Sequence, residues 1–366
     1  MTLDTRARRA AQGIHRAVEV MEMTTSTKEP RKVERFDRFR DRKQRNRRIG
    51  AVLVAGTLVV AGIVVVLTNV VGKDRTIVPA AGALEGRILY EVYAGGNTSA
   101  LFAIDAAGGP TEDLGVDTDP GSRWSPDGTR ILVTSTAGPA ATALPVRPAT
   151  IASDGSDFQL LDGVEDRSLN LHCTAFSPDG SRLACEGYSD LEGGVYTVRS
   201  SDGGGLSALT DFTGFPGDFS PDGDEIAFVG DDSDGTSAPD AGTLYVVGAD
   251  GTGLREIAPP SSVQAFSLVA WSPDGQWIAF IDVDGALSLV HPDGTELNKV
   301  PFELDARIDA ATGGATWSPD GAWIAFSARA VGADNPDIYA VRPDATGLRQ
   351  VTDTPSVAEF TDDWVS

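Results

Sequence analysis

Aspartate is the residue type with which this chain could most readily do chemistry, because it recurs at one place in a repeated pattern. An aromatic residue, serine, proline, aspartate and glycine follow one another at 124–128, 176–180, 219–223, 271–275 and 317–321. One aspartate per copy could build a metal site or an acid–base set. Each aspartate, however, stands between a proline that presets a turn and a glycine that accepts a left-handed conformation. We therefore interpret the repeat as a tight hairpin turn, called the motif turn below.

Histidine and serine do not supply a second chemical centre. The three histidines, His15, His172 and His291, stand far apart in the chain, which argues against a multi-histidine metal centre. The serine-nucleophile pattern Gly-x-Ser-x-Gly does not occur in the sequence. We expect no metal, no cofactor and no catalytic residue.

Cysteine offers one candidate pair. Cys173 and Cys185 are the two cysteines of the chain, and each stands six residues from Asp179, on opposite sides of one motif turn. In an antiparallel hairpin they would face each other, and an oxidising compartment would allow a cross-strand disulfide. Two unpaired buried thiols are the alternative.

Strands must position these turns, and the spacing of the turns indicates how. Successive aromatic residues of the repeat are 52, 43, 52 and 46 residues apart, and a last one, Trp364, follows after 47. Such a period is typical of a propeller built from four-stranded blades. Asp-Gly pairs such as Asp250-Gly251 between apolar runs predict further hairpins in each blade.

The two ends of the repeat region complement each other. The segment 86–93 resembles the strands that follow the motif turns, but it lacks a motif turn of its own. The missing part stands at 358–366. We predict an all-β, six-bladed propeller over 84–366, whose first blade takes its inner strand from the C-terminus and so leaves no open edge.

Charge divides the chain. Residues 1–48 carry a net charge of +8 and residues 72–366 carry −31, whereas 49–71 contains no charged residue. At about 1.5 Å per residue, a helix of that length crosses a hydrocarbon core of about 30 Å. We predict a single transmembrane helix at 49–71, a linker at 72–83, and a cytoplasmic N-terminus according to the positive-inside bias. A cleaved signal peptide is the alternative, although its apolar region would be shorter.

The segment 1–48 has two features. A stripe on one side of a helix is formed by Leu3, Ala7, Ala10, Ile14, Ala17 and Met21. The stripe could dock on a partner or lie on the inner leaflet, and a partly ordered tail is the alternative. Residues 28–48 are strongly basic, which indicates a topology signal resting on anionic headgroups. Nucleic-acid binding by this basic arm is the less favoured interpretation.

The repeat resembles the WD40-like repeat of TolB-type propellers. The resemblance rests on aromatic-Ser-Pro-Asp-Gly-x-x-Ile-Ala-Phe at 271–280 and 317–326, on Tyr-x-Val at 245–247 and on Asp-Gly-x-Gly-Leu at 250–254. It covers about 84–366 and implies a six-bladed, exported propeller that binds other proteins or envelope components without catalytic residues. TolB itself carries a globular domain before its propeller, where this chain has the predicted span. That difference does not favour a role in a Tol–Pal system.

The inner strands should line a central channel. On the face opposite the motif turns we expect one residue from each blade: Arg123, His172, Asp218, Ala270, Thr316 and Asp363. We name Arg123, His172, Asp218 and Asp363 as candidate binding residues of this mildly acidic ring, which could hold a basic peptide, a cation or only water. Long loops at 135–147, 230–242 and 328–336 should lie on the same face, where binding usually occurs.

The function predicted from these features is binding. We expect a single-pass membrane protein whose extracytoplasmic propeller binds an envelope protein or ligand, with a cytoplasmic regulator such as a sigma factor as a partner of the N-terminal segment. A glycan- or peptide-processing enzyme with its site at the channel mouth is one alternative. A purely structural envelope protein is another.

Overall fold

A computed structural model describes residues 83–93, 99–134, 145–166, 168–189, 193–230, 241–259, 262–264, 267–302, 306–308, 314–354 and 356–366. The predicted cytoplasmic segment 1–48, the predicted span 49–71 and linker residues 72–82 lie outside the described residues. Within the described ranges, no helix has the length and apolar character needed to cross a membrane.

The described residues form β-strands joined by turns and loops. In chain order the strands are β1 (Arg87–Tyr93), β2 (Ser99–Asp105), β3 (Glu112–Thr118), β4 (Arg123–Trp124), β5 (Arg130–Thr134), β6 (Pro148–Ala152), β7 (Gln159–Leu160), β8 (Asn170–Phe176), β9 (Arg182–Tyr188), β10 (Gly193–Arg199), β11 (Ser207–Ala208), β12 (Gly214–Phe219), β13 (Glu225–Gly230), β14 (Ala241–Gly248), β15 (Arg255–Glu256), β16 (Val263–Gln264), β17 (Ala270–Trp271), β18 (Ile278–Ile281), β19 (Leu287–Val290), β20 (Asn298–Lys299), β21 (Ala306–Ile308), β22 (Ala315–Trp317), β23 (Ile324–Ala330), β24 (Asp337–Val341), β25 (Arg349–Gln350) and β26 (Glu359–Val365).

These strands form six antiparallel sheets, the blades. From the inner strand outward, blade 1 is β26-β1-β2-β3, blade 2 is β4-β5-β6-β7 and blade 3 is β8-β9-β10-β11. Blade 4 is β12-β13-β14-β15, blade 5 is β17-β18-β19-β20 and blade 6 is β22-β23-β24-β25. The short strands β16 and β21 add a pairing to β14 and β23. The prediction of an all-β, six-bladed propeller is confirmed.

The ring closes within blade 1. The last strand, β26, pairs antiparallel with β1 from Arg87↔Val365 to Val92↔Glu359. The indole Nε1 of Trp364 donates a hydrogen bond of 2.8 Å to the carbonyl oxygen of Glu85, which ties the last strand to the residues before β1. The prediction that the C-terminus supplies the inner strand of the first blade is confirmed.

The motif turns have the geometry that their composition predicts, and the aspartate takes a larger part than expected. In blade 2, the Oδ1 of Asp127 accepts hydrogen bonds from the hydroxyl of Ser125 at 2.6 Å and from the amide and hydroxyl of Thr129 at 3.1 and 2.8 Å. The pKa of Asp127 is held below its usual range mainly by the hydrogen bond from Ser125, and further by the hydrogen bonds from Thr129. Gly128 ends the turn at a positive φ of 66°.

The aromatic residue of the repeat packs between neighbouring blades. Trp124 is buried in one cluster with Leu89 and Leu101 of blade 1 and with Ile131 and Val133 of blade 2. A flat ring at this place removes a large apolar area from water on both of its faces. The repeated aromatic residue therefore joins blades, and its period along the sequence is the period of the propeller.

Irregular pairing marks three of the inner strands. The pairing of β26 with β1 skips Asp362, and the pairing of β8 with β9 skips Thr174. The pairing of β12 with β13 shifts between Pro216 and Phe219. Such bulges turn a side chain or a carbonyl group out of the ladder, and two of them supply carbonyl groups to the channel.

Candidate functional site

The centre of the channel is occupied by Arg123, which lies on the inner strand of blade 2 and is 3% exposed. Its Nε donates a hydrogen bond of 3.1 Å to the carbonyl oxygen of Thr174 in blade 3. Its Nη1 donates to the carbonyl oxygen of Asp362 in blade 1. Both acceptors belong to bulged residues, because a bulge frees a carbonyl group that a regular ladder would use. Arg123 therefore ties together three blades.

Two carboxylates balance the charge of Arg123. Its Nη1 lies 3.8 Å from Oδ1 of Asp363 in blade 1, and its Nη2 lies 3.9 Å from Oδ1 of Asp218 in blade 4. Each carboxylate is held by a backbone amide: Asp363 accepts from Trp124 at 2.8 Å and Asp218 from Trp271 at 3.2 Å. A buried guanidinium without such partners would be strongly unfavourable. The arrangement is a cross-channel ion-pair network.

Asp218 is a carboxylate of this network whose pKa is raised towards neutral pH. Burial raises the pKa of Asp218 to about 6, while the charge of Arg123 lowers it and that of Asp363 raises it. The side chain of Asp218 is surrounded by protein but is still 30% exposed to solvent. A group with this exposure and this pKa could bind a cationic partner and lose the charge in mild acid.

A pair of buried carboxyl groups stands beside the network. Glu91 and Asp362 are each 1% exposed. Asp362 accepts a hydrogen bond of 3.2 Å from the amide of Gly121, and Glu91 accepts one of 3.5 Å from the hydroxyl of Ser122. The second oxygens, Oε2 of Glu91 and Oδ2 of Asp362, are buried and have no hydrogen-bond partner among the described residues.

The pKa of each carboxyl group is raised. Burial raises the pKa of Glu91 to about 7. Burial and the neighbouring Glu91 raise the pKa of Asp362 well above its usual range. Two adjacent carboxyl groups in a low dielectric do not readily ionise together, so the pair favours a state that holds at least one proton.

The channel position of His172 differs from that of the other predicted residues. Arg123, Asp218 and Asp363 stand directly before the repeated aromatic residue, whereas His172 stands four residues before Phe176. The residue of blade 3 at the equivalent place is Ala175. Arg123, Asp218 and Asp363 thus lie at the motif-turn end of their strands, and not at the opposite mouth where we expected all of them.

His172 lies in a different environment, near the start of β8. Its ring packs against Phe215 with centroids 5.7 Å apart. Burial lowers the pKa of His172, while the charge of Asp119 raises it. The structure therefore brings Arg123, Asp218 and Asp363 together and does not place His172 with them. The remaining expected ring residues, Ala270 and Thr316, are buried.

The two cysteines form a disulfide between β8 and β9 in the structure. Cys173 and Cys185 are directly paired in the register of the two strands, as the position of the motif turn predicts. The bridge pins the innermost two strands of blade 3 next to the bulge at Thr174.

Two of the three predicted binding loops lie mainly outside the described residues, at 135–144 and 231–240. The third is described and joins β23 to β24. It begins with an exposed turn at Val331, whose side chain is 73% exposed. This loop is on the face away from the motif turns, because β23 starts just after the motif turn of its blade and runs across the blade before it reaches the loop.

Sequence reasoning missed Glu91 and Asp362 as members of the channel. A signal was present for Glu91, which is the charged residue inside an otherwise apolar stretch of β1. Asp362 had no comparable signal, since a bulge next to Asp363 decides which of the two adjacent aspartates enters the pair. Pairing irregularity of this kind depends on the neighbouring strand.

The described residues define a six-bladed β-propeller that is closed by its own last strand. Its fold is that of TolB. TolB from Acinetobacter baumannii matches with a TM-score of 0.58 and 17% identity, over 77% of this chain and 68% of TolB. A putative TolB from Agrobacterium tumefaciens matches with a TM-score of 0.52 and 14% identity, over 78% of this chain and 100% of that protein.

The same architecture occurs in a chain of the nidogen/laminin complex, with a TM-score of 0.52, 8% identity, and coverage of 75% of this chain and 96% of that one. At identities this low, the similarity concerns the fold. Neither a protein-family model nor a curated protein matches the sequence.

Proposed function

We propose that this chain is a membrane-anchored binding protein whose propeller lies outside the cytoplasm and recognises a protein of the cell envelope. The N-terminal segment 1–48 would remain in the cytoplasm and contact a regulatory protein there. The uncharged run at 49–71 between a basic and an acidic part of the chain supports the anchor and its orientation. The disulfide between Cys173 and Cys185 supports the oxidising side of the membrane for the propeller.

The observation that carries the binding role is the state of the charged groups in the channel. Arg123 donates hydrogen bonds to two carbonyl groups and lies 3.8 and 3.9 Å from two carboxylates, while its buried Nη2 makes no hydrogen bond among the described residues. Groups engaged in this way stabilise a scaffold rather than wait for a reacting atom. A rigid propeller with variable loops is a suitable platform for recognition.

The enzyme alternative has one specific observation in its favour, the carboxyl pair of Glu91 and Asp362, because paired carboxyl groups can act as acid and base. Both groups are 1% exposed, however, and the amide of Gly121 donates a hydrogen bond to Asp362. A substrate would have to separate blades 1 and 2 to reach them. We therefore favour binding without catalysis.

Orientation can be tested with sealed, right-side-out membranes that carry the full chain with an N-terminal epitope. Added protease should digest the propeller and leave the epitope intact, since the bilayer protects segment 1–48. If the propeller resists protease in sealed membranes and is digested only after the membranes are lysed, the proposed orientation is contradicted.

Recognition can be tested by photo-cross-linking in cells. A photoreactive residue at Val331 would probe the face away from the motif turns, and Leu254, 43% exposed in the hairpin after β14, is the matched position on the motif-turn face. A discrete adduct with one envelope protein from Val331, absent from Leu254, is the expected result. Identical adducts from both positions, or none from Val331, would contradict selective binding at that face.

The cytoplasmic contact needs a separate test. Cross-linked pulldowns from the full chain and from a chain lacking residues 1–28 should differ in one cytoplasmic protein, because the apolar stripe lies in the deleted part. An unchanged set of captured proteins would remove the relay to a regulator and leave the external binding role in place.

A further inference from the structure

A cavity of about 550 Å³ opens between blades 2 and 3 on the face that carries the motif turns. Its walls are the two motif turns at 125–127 and 178–180, the start of β5, and the hairpin at 200–201. The turns touch each other, since a Cβ added to Gly180 would lie 3.8 Å from Pro126. The volume lies within the range of small-ligand sites, roughly 300–1,000 Å³.

The side chains at this blade junction differ from those between blades 6 and 1. Between blades 6 and 1, Trp323 and Trp364 fill the equivalent positions and belong to one buried cluster. Trp323 stands six residues after the aromatic residue of its motif, and Arg130 stands at that place in blade 2. Phe176, which is only partly buried, takes the place of Trp364. A guanidinium and a phenyl ring thus line this junction at the places that two indoles occupy between blades 6 and 1.

The lining combines an apolar floor with two carboxylates. Phe176 and Leu161 contribute the apolar floor, and Asp127 and Asp179 contribute the carboxylates. Asp179 is held by its hydrogen bonds from Ser177 at 2.6 Å and Ser181 at 2.8 Å, and these lower its pKa to about 2. Both carboxylates are therefore ionised and fixed in position at neutral pH.

The positive charge of Arg130 does not cancel these carboxylates. Its Nη1 lies 2.9 Å from Oδ2 of Asp157, and its Nε donates to the hydroxyl of Thr150 at 2.8 Å. Because Asp157 already balances Arg130, the carboxylates of Asp127 and Asp179 leave a net negative charge in the cavity. The acidic balance of the whole segment 72–366 adds an attractive field for a basic partner.

We infer that this cavity binds the side chain of an arginine presented by a partner protein. The guanidinium would pair with the carboxylates of Asp127 and Asp179, and its aliphatic stem and planar head would pack on Phe176. The inference deepens the proposed function, on which it rests, by assigning a second contact of the propeller at the motif-turn face and the chemistry that this contact recognises.

The test uses the full chain in detergent and the peptide acetyl-Gly-Gly-Arg-Gly-Gly-amide, with calorimetric titration at low ionic strength. The same peptide with citrulline in place of arginine keeps the shape and removes the charge. We expect saturable binding of the arginine peptide and at least about tenfold weaker binding of the citrulline peptide, since charge-assisted hydrogen bonds are lost. Equal affinity for the two peptides, or no saturable binding, overturns the inference.

Matched variants locate the site. The double variant Asp127→Asn and Asp179→Asn keeps an oxygen that can accept the turn hydrogen bonds, and should weaken binding of the arginine peptide by about tenfold or more. Asp274→Asn with Asp320→Asn makes the same change in the motif turns of blades 5 and 6, and should leave binding unchanged. Equal losses in both double variants would contradict a site between blades 2 and 3.

A second variant tests the cavity without changing charge. Phe176→Trp should fill the space and abolish binding, whereas Phe219→Trp in the next blade should not. n-Propylguanidine, which is the arginine side chain as a free molecule, should bind no more tightly than the peptide. Tighter binding of n-propylguanidine would overturn the assignment to a partner protein. If the arginine peptide does not bind while the adduct from Val331 still forms, this inference is refuted and the proposed function stands.

Discussion

The Nε of Arg123 donates a hydrogen bond of 3.1 Å to the carbonyl oxygen of Thr174, a residue that the strand ladder of the next blade bypasses. The same guanidinium donates to the carbonyl oxygen of Asp362, which is bypassed in the blade on the other side. A single side chain thus uses two bulges as acceptors and connects three blades.

Replacing Arg123 should destabilise the propeller strongly. Arg123→Met removes the guanidinium and leaves two carbonyl groups and the carboxylates of Asp218 and Asp363 without it, which should lower the free energy of unfolding by about 3–5 kcal/mol. Urea denaturation measures the change. Arg199→Met, at an exposed pair with Asp202, is the matched control and should have little effect. A similar loss in both variants would show that the central position of Arg123 is unimportant.

Stability should fall as the pH rises from about 4.5 to 7 because of the carboxyl pair. Burial raises the pKa of Glu91 to about 7 from an ordinary value of 4.5, so the folded state holds protons that the unfolded state releases. The contribution is fully present below pH 4.5 and is lost through about pH 7. For a change of this size it is on the order of 3 kcal/mol.

Glu91→Gln removes that titration, although the neighbouring Asp119 and Asp362 remain. The variant should therefore gain stability relative to the native chain between pH 5 and pH 7.5, as measured by urea denaturation at both values. Glu256→Gln, at an exposed position of β15, should leave the pH dependence unchanged.

The pH dependence should become smaller in Glu91→Gln without disappearing, because burial also raises the pKa of Asp218 to about 6 and those of Glu186 and Glu359 to about 7. An unchanged pH dependence in Glu91→Gln would contradict the role of Glu91.

Removing the disulfide should lower stability without changing the fold. Cys173→Ala with Cys185→Ala frees a short loop, since the cysteines are 12 residues apart, and should cost about 3 kcal/mol. Reducing agent should destabilise the native chain by a similar amount and leave the double variant unaffected. Two reactive thiols in denatured, unreduced protein isolated from its native compartment would contradict the bridge.

Loosening the last strand should open the ring at blade 1 first. Trp364→Ala removes a side chain that is 5% exposed and also the hydrogen bond to Glu85, at a cost of about 3–5 kcal/mol. Hydrogen exchange should quicken at Leu89 and Tyr90, which pair with β26, before it quickens in β13 of blade 4, on the opposite side of the ring. Uniform loss of protection in all blades would indicate that the propeller unfolds as one unit without opening at blade 1.

The architecture could be predicted from the sequence because its signals are local and repeated. Proline, aspartate and glycine specify a turn within four residues, and the aromatic residue before them marks the inner strand of a blade. The split between 86–93 and 358–366 likewise predicted the closure, which the pairing of β26 with β1 confirms. The turn recurs five times and the aromatic residue six times, so the architecture does not depend on the signal in any one blade.

The candidate site was harder to predict, because it depends on contacts between strands that are far apart in sequence. The residues directly before the repeated aromatic residue were identified, and three of them meet. The choice of Asp362 over Asp363 as the partner of Glu91 follows from a bulge whose position is set by the neighbouring strand. The place of His172 outside the ion-pair network follows from its standing four residues before Phe176, whereas Ala175 is at the equivalent position.

The sequence by itself determined the number of blades and their turns, since these follow from residues within a few positions of one another, and it indicated the closure because the segments 86–93 and 358–366 complete one copy of the repeat. Only the tertiary structure decided that Arg123 joins three blades, that two carboxyl groups are buried beside it, and that space remains between blades 2 and 3. These features depend on how six similar sheets, with different side chains at equivalent places, pack around one axis.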